Sequence, residues 1–436
     1  MAKKIFSFIL LLTPLIALVK VSDVFYPYIA GKMLFWTILL LLASLALGAV
    51  LFEKKSRNSM LERMHVFFQE PLVLGVFAVL GTMLISACVA YEPHIAWWGS
   101  FVRWEGVMTF VLLSIYFAYL SIAFDSKAWK RFFILTAVVG GLSLLIAIVQ
   151  ALAAPSVAGG IFRPEALIGN PIFLAQYLVF AGTFAVLAVL SDDKKSRLKI
   201  GSAALILVLS GFGVILTQTR GVMVGIFAGA LVALIVLFFQ SSGMKARFLG
   251  KERNVRKWAG ILVVLMVVLG GGFLATRHYG FWQHVPVIQR FASIGTVDKT
   301  TESRLITART SIAAVNPHNE GWKRALFGWG NENYQFAWYK YYDPEIFAFE
   351  RAPLDRAHDR FLDVLVMNGF VGLLAYLILI FFIFKSIMKL AGPEKYFLLF
   401  LIVAHLVQNL FAFESILSFI YLYTLIAYLV YRKNHA

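Results

Sequence analysis

From Ile200 to Phe239 the chain runs forty residues with one charged side chain, Arg220. The apolar stretches on either side of Thr217-Gln218-Thr219-Arg220-Gly221 are each close to the roughly 20 helical residues that cross a bilayer core. Almost nothing joins them. In lipid such a segment is a helical hairpin, because every backbone N–H and C=O must find its partner inside the segment. The rest of the sequence is built the same way. It is 60% apolar and 14% charged, whereas a soluble domain carries roughly a quarter charged residues. Twelve spans are predicted, at 5–19, 33–52, 72–90, 107–124, 132–153, 173–190, 200–217, 221–239, 259–276, 364–384, 396–413 and 416–431. They are too long and continuous for barrel strands. The expected fold is an all-α polytopic membrane protein of about twelve transmembrane helices, organised as one domain over 1–436.

The net charge of +17 could be taken for a nucleic-acid footprint, but its distribution argues otherwise. Of the 40 Lys and Arg residues, 24 lie at the two ends and in alternate loops, on one side of the twelve-span arrangement. That is the positive-inside bias, and it predicts a multi-pass membrane protein with both termini cytoplasmic. The start, Met1-Ala2-Lys3-Lys4 before an apolar run, imitates a signal peptide. Val19 stands where a cleavage site would need a small residue, so a retained first span is expected. Cys88 is the one cysteine, which excludes an internal disulfide, and no Cys/His metal spacing occurs.

The stretch 277–363, between spans nine and ten, is the one large polar segment. It holds four of the eight histidines, eleven Lys/Arg and ten Asp/Glu. The charge bias places it outside the cytoplasm as an extracytoplasmic (periplasmic) loop subdomain. No ATP or nucleotide sugar is available there, so an enzyme on that side needs a pre-activated, lipid-linked substrate. No phosphate-binding P-loop, dinucleotide or kinase motif occurs in the chain. A docking scaffold is the other use for such a loop. A transporter is the rival from a different class, and would be expected to show inverted repeats and broken helices with polar residues at the midplane.

Within this frame a few residues carry chemistry. Arg220, at membrane depth in a tight turn, is a functional candidate by cost alone; the alternative is an interfacial arginine reaching lipid phosphate. Residues 301–315 read as an amphipathic helix closed by Asn316-Pro317. Arg304, Ala308 and Ser311 share one face, and Leu305, Ile312 and Val315 are expected to face the protein. Arg304 and Arg309 suit a diphosphate, because a guanidinium bonds phosphate oxygens in pairs. Gly328-Trp329-Gly330 predicts a sharp turn, with Asn331 capping the next helix and Trp329 among aromatics able to stack on sugars or to sit at the interface. A helix starting near Pro353-Leu354 would carry Asp355 and His358 on one face, and Arg356 and Arg360 on another. His358 is the candidate base, with Asp355 or Asp359 fixing its tautomer.

At these positions the chain resembles the O-antigen ligase and O-antigen polymerase superfamily. The likeness is an ordered series of short motifs over about 85–418: Trp98 to Gly106 with Arg103, Arg163 with Gly169-Asn170-Pro171, Thr219-Arg220-Gly221, Glu302-Ser303-Arg304, Leu326-Phe327-Gly328-Trp329-Gly330, and Ala357-His358-Asp359-Arg360-Phe361-Leu362 followed by Asn368-Gly369-Phe370-Val371-Gly372. The family often has Asn or Ser after the histidine; this chain has Asp359. The resemblance implies transfer of a glycan from an undecaprenyl-diphosphate carrier to an acceptor hydroxyl, with no cofactor, metal or nucleic acid. The implied catalytic residues are His358, Arg220 and Arg304. The implied substrate-binding residues are Arg103, Arg309, Arg356, Asp355 and Trp329. The partners would be the lipid-linked donor, a glycan, lipid or protein acceptor, and membrane lipids. Ligase, polymerase and protein oligosaccharyltransferase all stay open.

Overall fold

The computed structural model describes residues 1–153, 162–192, 196–243, 245–248, 251–284, 299–351 and 353–434. Part of the expected external loop, 285–298, thus lies outside the described residues. The architecture is helical. Among the described residues, nine helices are long and apolar enough to cross a membrane. They are α2 (Ala30–Phe52), α4 (Pro71–Cys88), α7 (Ser126–Ala153), α8 (Pro171–Leu190), α9 (Arg197–Thr217), α10 (Arg220–Gln240), α11 (Val255–Thr276), α15 (Arg360–Lys389) and α17 (Ile416–Asn434). The other three predicted spans are helical but shorter: α1 (Ala2–Leu11), α6 (Val107–Ala123) and α16 (Glu394–Gln408). In the first, a 3-10 turn over Thr13–Leu18 follows α1, with Pro14 at its start; proline has no N–H to continue an α-helix.

Between these run α3 (Lys54–Phe68), α5 (Pro93–Trp98), α12 (Lys299–Ala314), α13 (Pro317–Phe327) and α14 (Tyr334–Lys340). Strands β1 (Lys245–Phe248) and β2 (Lys251–Asn254) pair antiparallel in the basic loop after α10, with Lys245 opposite Asn254. Proline opens α4, α5 and α8, where a missing N–H costs nothing.

Helices α8 and α17 are the most enclosed, and α11 the least. Tyr177, Phe180 and Phe184 of α8 meet Tyr421 of α17 in one aromatic cluster. Helix α10 packs on α16 through Gly225 and Gly229: a Cβ at Gly225 would strike the Ala404 carbonyl, and one at Gly229 would sit 2.5 Å from the Phe400 oxygen, while Gly221 lies against Phe411 in the segment after α16. Small residues at this spacing let two backbones close up in lipid. They hold Arg220, at the head of α10, beside the segment that joins α16 to α17.

The helices α12 to α14 share a core with the start of α15, built from Ile306, Val315, Trp329, Tyr334, Trp338 and Leu365. Gly369 breaks α15 with φ of 70°, and Gly328 turns with φ of 73°. The two backbones cross here: Trp329 N–H donates to the Val366 carbonyl and Gly330 N–H to the Met367 carbonyl, both at 2.9 Å. Irregular backbone at this depth survives because it is paired. Gly369→Ala would add a Cβ against the Leu326 carbonyl at a left-handed position. It is expected to cost at least about 1 kcal/mol, read as a lower thermal midpoint in detergent; an unchanged midpoint would show that the crossing tolerates a side chain.

Two expectations fail in this region. Leu305 and Ile312 do not face the protein; they are 55% and 57% exposed, while Ser303, Thr307, Thr310 and Ser311 are buried. The reason is local bonding. Thr307 and Ser311 hydroxyls donate to the carbonyls four residues back, and Ser311 also meets the Tyr334 hydroxyl. The helix expected from Pro353 starts instead at Arg360. Residues 355–359 are non-helical because Asp359 caps α15, accepting from the N–H groups of Phe361 and Leu362 at 2.8 and 3.2 Å.

Candidate active site

The hairpin between α9 and α10 forms the first part. Helix α9 ends on Gln218, whose left-handed backbone (φ 52°) reverses the chain. Arg220 is the first residue of α10. Arg163 clasps the turn: its Nε donates to the Thr217 carbonyl at 2.9 Å and its Nη2 to the Thr219 hydroxyl at 3.2 Å. Opposite, Arg304 of α12 donates through Nη2 to the Phe411 carbonyl at 2.7 Å. Arg163, Arg220 and Arg304 line one cavity of about 410 Å³, walled by Ile172, Val222 and Phe411. Among the described residues no Asp or Glu lines it. Three guanidiniums line this cavity, and the planar fork of a guanidinium matches phosphate oxygens.

His358 stands beside this cavity. Its ring packs edge-on against Phe413, centroids 5.1 Å apart, two residues from Phe411. Its Nδ1 lies 3.3 Å from the Arg356 carbonyl. A carbonyl only accepts, so Nδ1 carries the hydrogen and Nε2 keeps a lone pair. The tautomer is therefore set by a backbone oxygen, not by Asp355 or Asp359 as the sequence led one to expect. Burial holds the His358 pKa below its ordinary value, and the Arg304 guanidinium pushes the same way. The shift favours the neutral imidazole, the form able to take a proton.

A second set of charges fixes the loop under His358. Arg103 pairs with Asp355 through two bonds of 2.8 and 3.1 Å, and its guanidinium lies 4.2 Å over the Phe413 ring. Burial alone would raise the Asp355 carboxyl; the bond from Arg103 and the charge of Arg356 outweigh it, and its pKa falls below the ordinary value. Arg356 is fully enclosed, 3.0 Å from Glu105 and 4.0 Å from Glu332. Glu332 in turn accepts the backbone N–H groups of Ser100, at 2.8 Å, and Glu105. Burial pushes the Glu105 carboxyl up to about 7, with Glu332 adding to the rise and Arg356 opposing it. The segment carrying Phe411 and Phe413 is held from its other side. Glu414 accepts from Asn409 at 3.0 Å and sits 2.7 Å from His405 and 3.3 Å from Arg360.

Two of the residues expected to bind substrate lie elsewhere. Arg309 is exposed and pairs with Glu345 at 3.5 Å, away from the cavity lining. Trp329 is 1% exposed; its Nε1 donates to the Ala314 carbonyl, and its ring meets Tyr91 and the Arg324 guanidinium. Its indole is core, with no face open to a sugar. Asn331 does not cap α14 but accepts from Asn368 at 2.6 Å. Glu332 and Glu414 were not singled out by the sequence, and Glu105 and Arg163 entered only as members of quoted motifs, with no role given. A signal existed for the carboxylates, since a buried arginine requires an anion. Partners more than 225 residues apart in the chain are not legible from one sequence.

The fold is that of a multi-pass helical membrane protein, and its candidate site is an arginine-lined cavity near a buried histidine. Residues 205–377, which include Arg220, Arg304 and His358, match the family model described as O-antigen ligase. Over that segment the chain is similar to the O-antigen ligase family, the likeness that its motifs also carry. No curated protein matches the chain.

Proposed function

We propose that this protein transfers a glycan from an undecaprenyl-diphosphate carrier to an acceptor hydroxyl on the extracytoplasmic side of the membrane. The observation that carries the reading is the gathering of Arg163, Arg220 and Arg304 on one cavity beside His358. The carrier diphosphate sits among the guanidiniums. The acceptor oxygen attacks the anomeric carbon as the bond from that carbon to the diphosphate oxygen breaks. The acceptor proton passes to His358 Nε2, and the electron pair leaves with the diphosphate. Negative charge grows on the leaving group, where fixed cations stabilise it. Attack from one face inverts the anomeric centre; a product linkage that retains the donor configuration, seen by NMR, would count against this step.

Arg220→Ala, in protein that still inserts normally, is expected to slow transfer from an undecaprenyl-diphosphate glycan by about 10²–10³-fold, the loss typical for a removed charge-stabilising group. Wild-type turnover in proteoliposomes carrying this variant would sink the assignment. Ligase, polymerase and protein oligosaccharyltransferase activities are separated by the surface glycans of a deletion strain: lost attachment, lost length and lost glycoprotein bands are different outcomes.

A further inference from the structure

The polar stretch between α11 and α15 is expected outside the membrane, yet two of its helices carry large apolar side chains on their outer faces. On α12, Leu305 and Ile312 are exposed, and Arg309 lies between them, one turn from each. On α13, Trp322 and Leu326 are exposed four residues apart, with Lys323 beside Trp322. We infer that α12 and α13 lie in the bilayer boundary, with these apolar side chains among the acyl chains of phospholipid and Arg309 and Lys323 at the phosphates. The inference stands on packing and holds whatever group the protein transfers.

Three observations point to lipid as the occupant. The first is level, because both ends of α12 are tied to membrane spans. Arg304 donates to the Phe411 carbonyl, and Phe411 packs on Gly221 in the first turn of α10. At the other end the Ala314 carbonyl accepts from Trp329 Nε1, and the Trp329 N–H donates to the Val366 carbonyl. Val366 lies about 9 Å along α15 from its start at Arg360, at 1.5 Å per residue. Helix α13 reaches further. Its Leu326 backbone abuts Gly369, about 14 Å from the same start. Arg324 of α13 donates to the Val89 carbonyl just past α4, and Ser86 in the last turn of α4 donates to the Met367 carbonyl. Helices α12 and α13 thus meet α4 and α10 at their end turns, and α15 within its first three turns.

The second observation is the pattern on α12. Its buried face carries Ser303, Thr307, Thr310 and Ser311, while Leu305 and Ile312 are exposed. A helix turned to water carries these residues the other way round; one turned to lipid does not. The third is charge. Arg309 meets Glu345 at 3.5 Å with both side chains more than half exposed, and such a pair holds little. A guanidinium flanked by apolar side chains is the arrangement of an interfacial helix, in which the arginine stem covers acyl chains and its head reaches phosphate. Trp322 suits the same level, since indole favours the headgroup region. Arg304 precedes Leu305 on the same helix, so the seat of α12 also sets the height of Arg304 on the arginine cavity.

The test uses the full-length protein in vesicles of phosphatidylethanolamine and phosphatidylglycerol. In a Cys88→Ser background, Ile312→Cys or Trp322→Cys carries a nitrobenzoxadiazole label. An interfacial helix buries its apolar face about 5–10 Å into the boundary. Both labels are therefore expected to lose most of their emission to a nitroxide high on the acyl chain, less to one near the chain end, and almost none to aqueous iodide. Quenching by iodide with no response to either nitroxide would place the face in water and overturn the inference. Shielding from all three quenchers would mean that protein covers the face, a second copy if the unlabelled cysteines also form disulfide-linked dimers, and would overturn it as well. Wild-type protein supplies an arm without substitutions. A diacyl phospholipid with a diazirine high on its acyl chain should label peptides from 301–316 and 317–328 as well as α11, the least enclosed span. Label on α11 with none on these peptides would also overturn the inference.

Discussion

Replacing His358 by alanine is expected to slow glycan transfer by roughly 10²–10⁴-fold, the contribution of one positioned base. His358→Asn is the sharper variant. The backbone at 358 is left-handed, with φ of 58°, and asparagine tolerates that region better than most residues. It keeps the turn and removes the base. Both variants should retain the wild-type thermal midpoint while losing turnover. Wild-type turnover in either would exclude His358 as the proton acceptor. The pH profile adds a second check. Burial, and then Arg304, hold the imidazole pKa below its ordinary value. The base works when deprotonated, so the acid limb of kcat/KM should lie below about 6.5, the unperturbed value. Arg304→Gln removes one of the depressing charges. Its residual activity should show the acid limb moved to higher pH, and a limb that stays in place would mean another group is titrating.

The features that chemistry makes local were legible in the sequence. Runs of apolar residues marked the nine helices that are long and apolar enough to cross a membrane among the described residues, because lipid leaves a backbone no other partner than itself. Arg220 was visible because a charge in forty apolar residues is costly wherever it sits. His358 and Arg304 came from motif order. Each misreading has a local cause. On α12, helical periodicity placed Leu305 and Ile312 inward, but inside and outside exchange meaning next to a membrane. Buried Thr307 and Ser311 satisfy themselves on their own helix, and the leucine and isoleucine stay exposed. Trp329 was read as an aromatic in a sharp glycine turn, able to stack on a sugar or to sit at the interface, yet those glycines bring two backbones together over it. The helix expected from Pro353 lost to the cap that Asp359 supplies, which is also why Asp is at home in the place where the family often has Asn or Ser.

Glu332→Ala is expected to have the largest effect on stability. Its carboxylate is enclosed, accepts the N–H groups of Ser100 and Glu105, and faces Arg356. Removing one partner from a buried charged network costs about 3–5 kcal/mol, because the groups left behind can neither pair nor reach water. Two N–H donors and part of the compensation for a buried guanidinium are lost at once, so the upper end of that range applies. Glu332→Gln keeps an oxygen for the N–H groups and loses only the charge, and should fall between alanine and wild type. The measurement is the thermal midpoint of the detergent-solubilised protein, with transfer activity assayed below that midpoint. Arg356 and Arg103 hold the loop through Glu105 and Asp355, and His358 rides on that loop. A weakened network therefore moves the imidazole as well as lowering the midpoint, and Glu332→Ala should lose turnover even where it is fully folded. A midpoint equal to wild type in Glu332→Ala would mean the pairing around Arg356 contributes nothing to the fold. Full turnover in folded Glu332→Ala would mean that His358 is positioned by something other than this network.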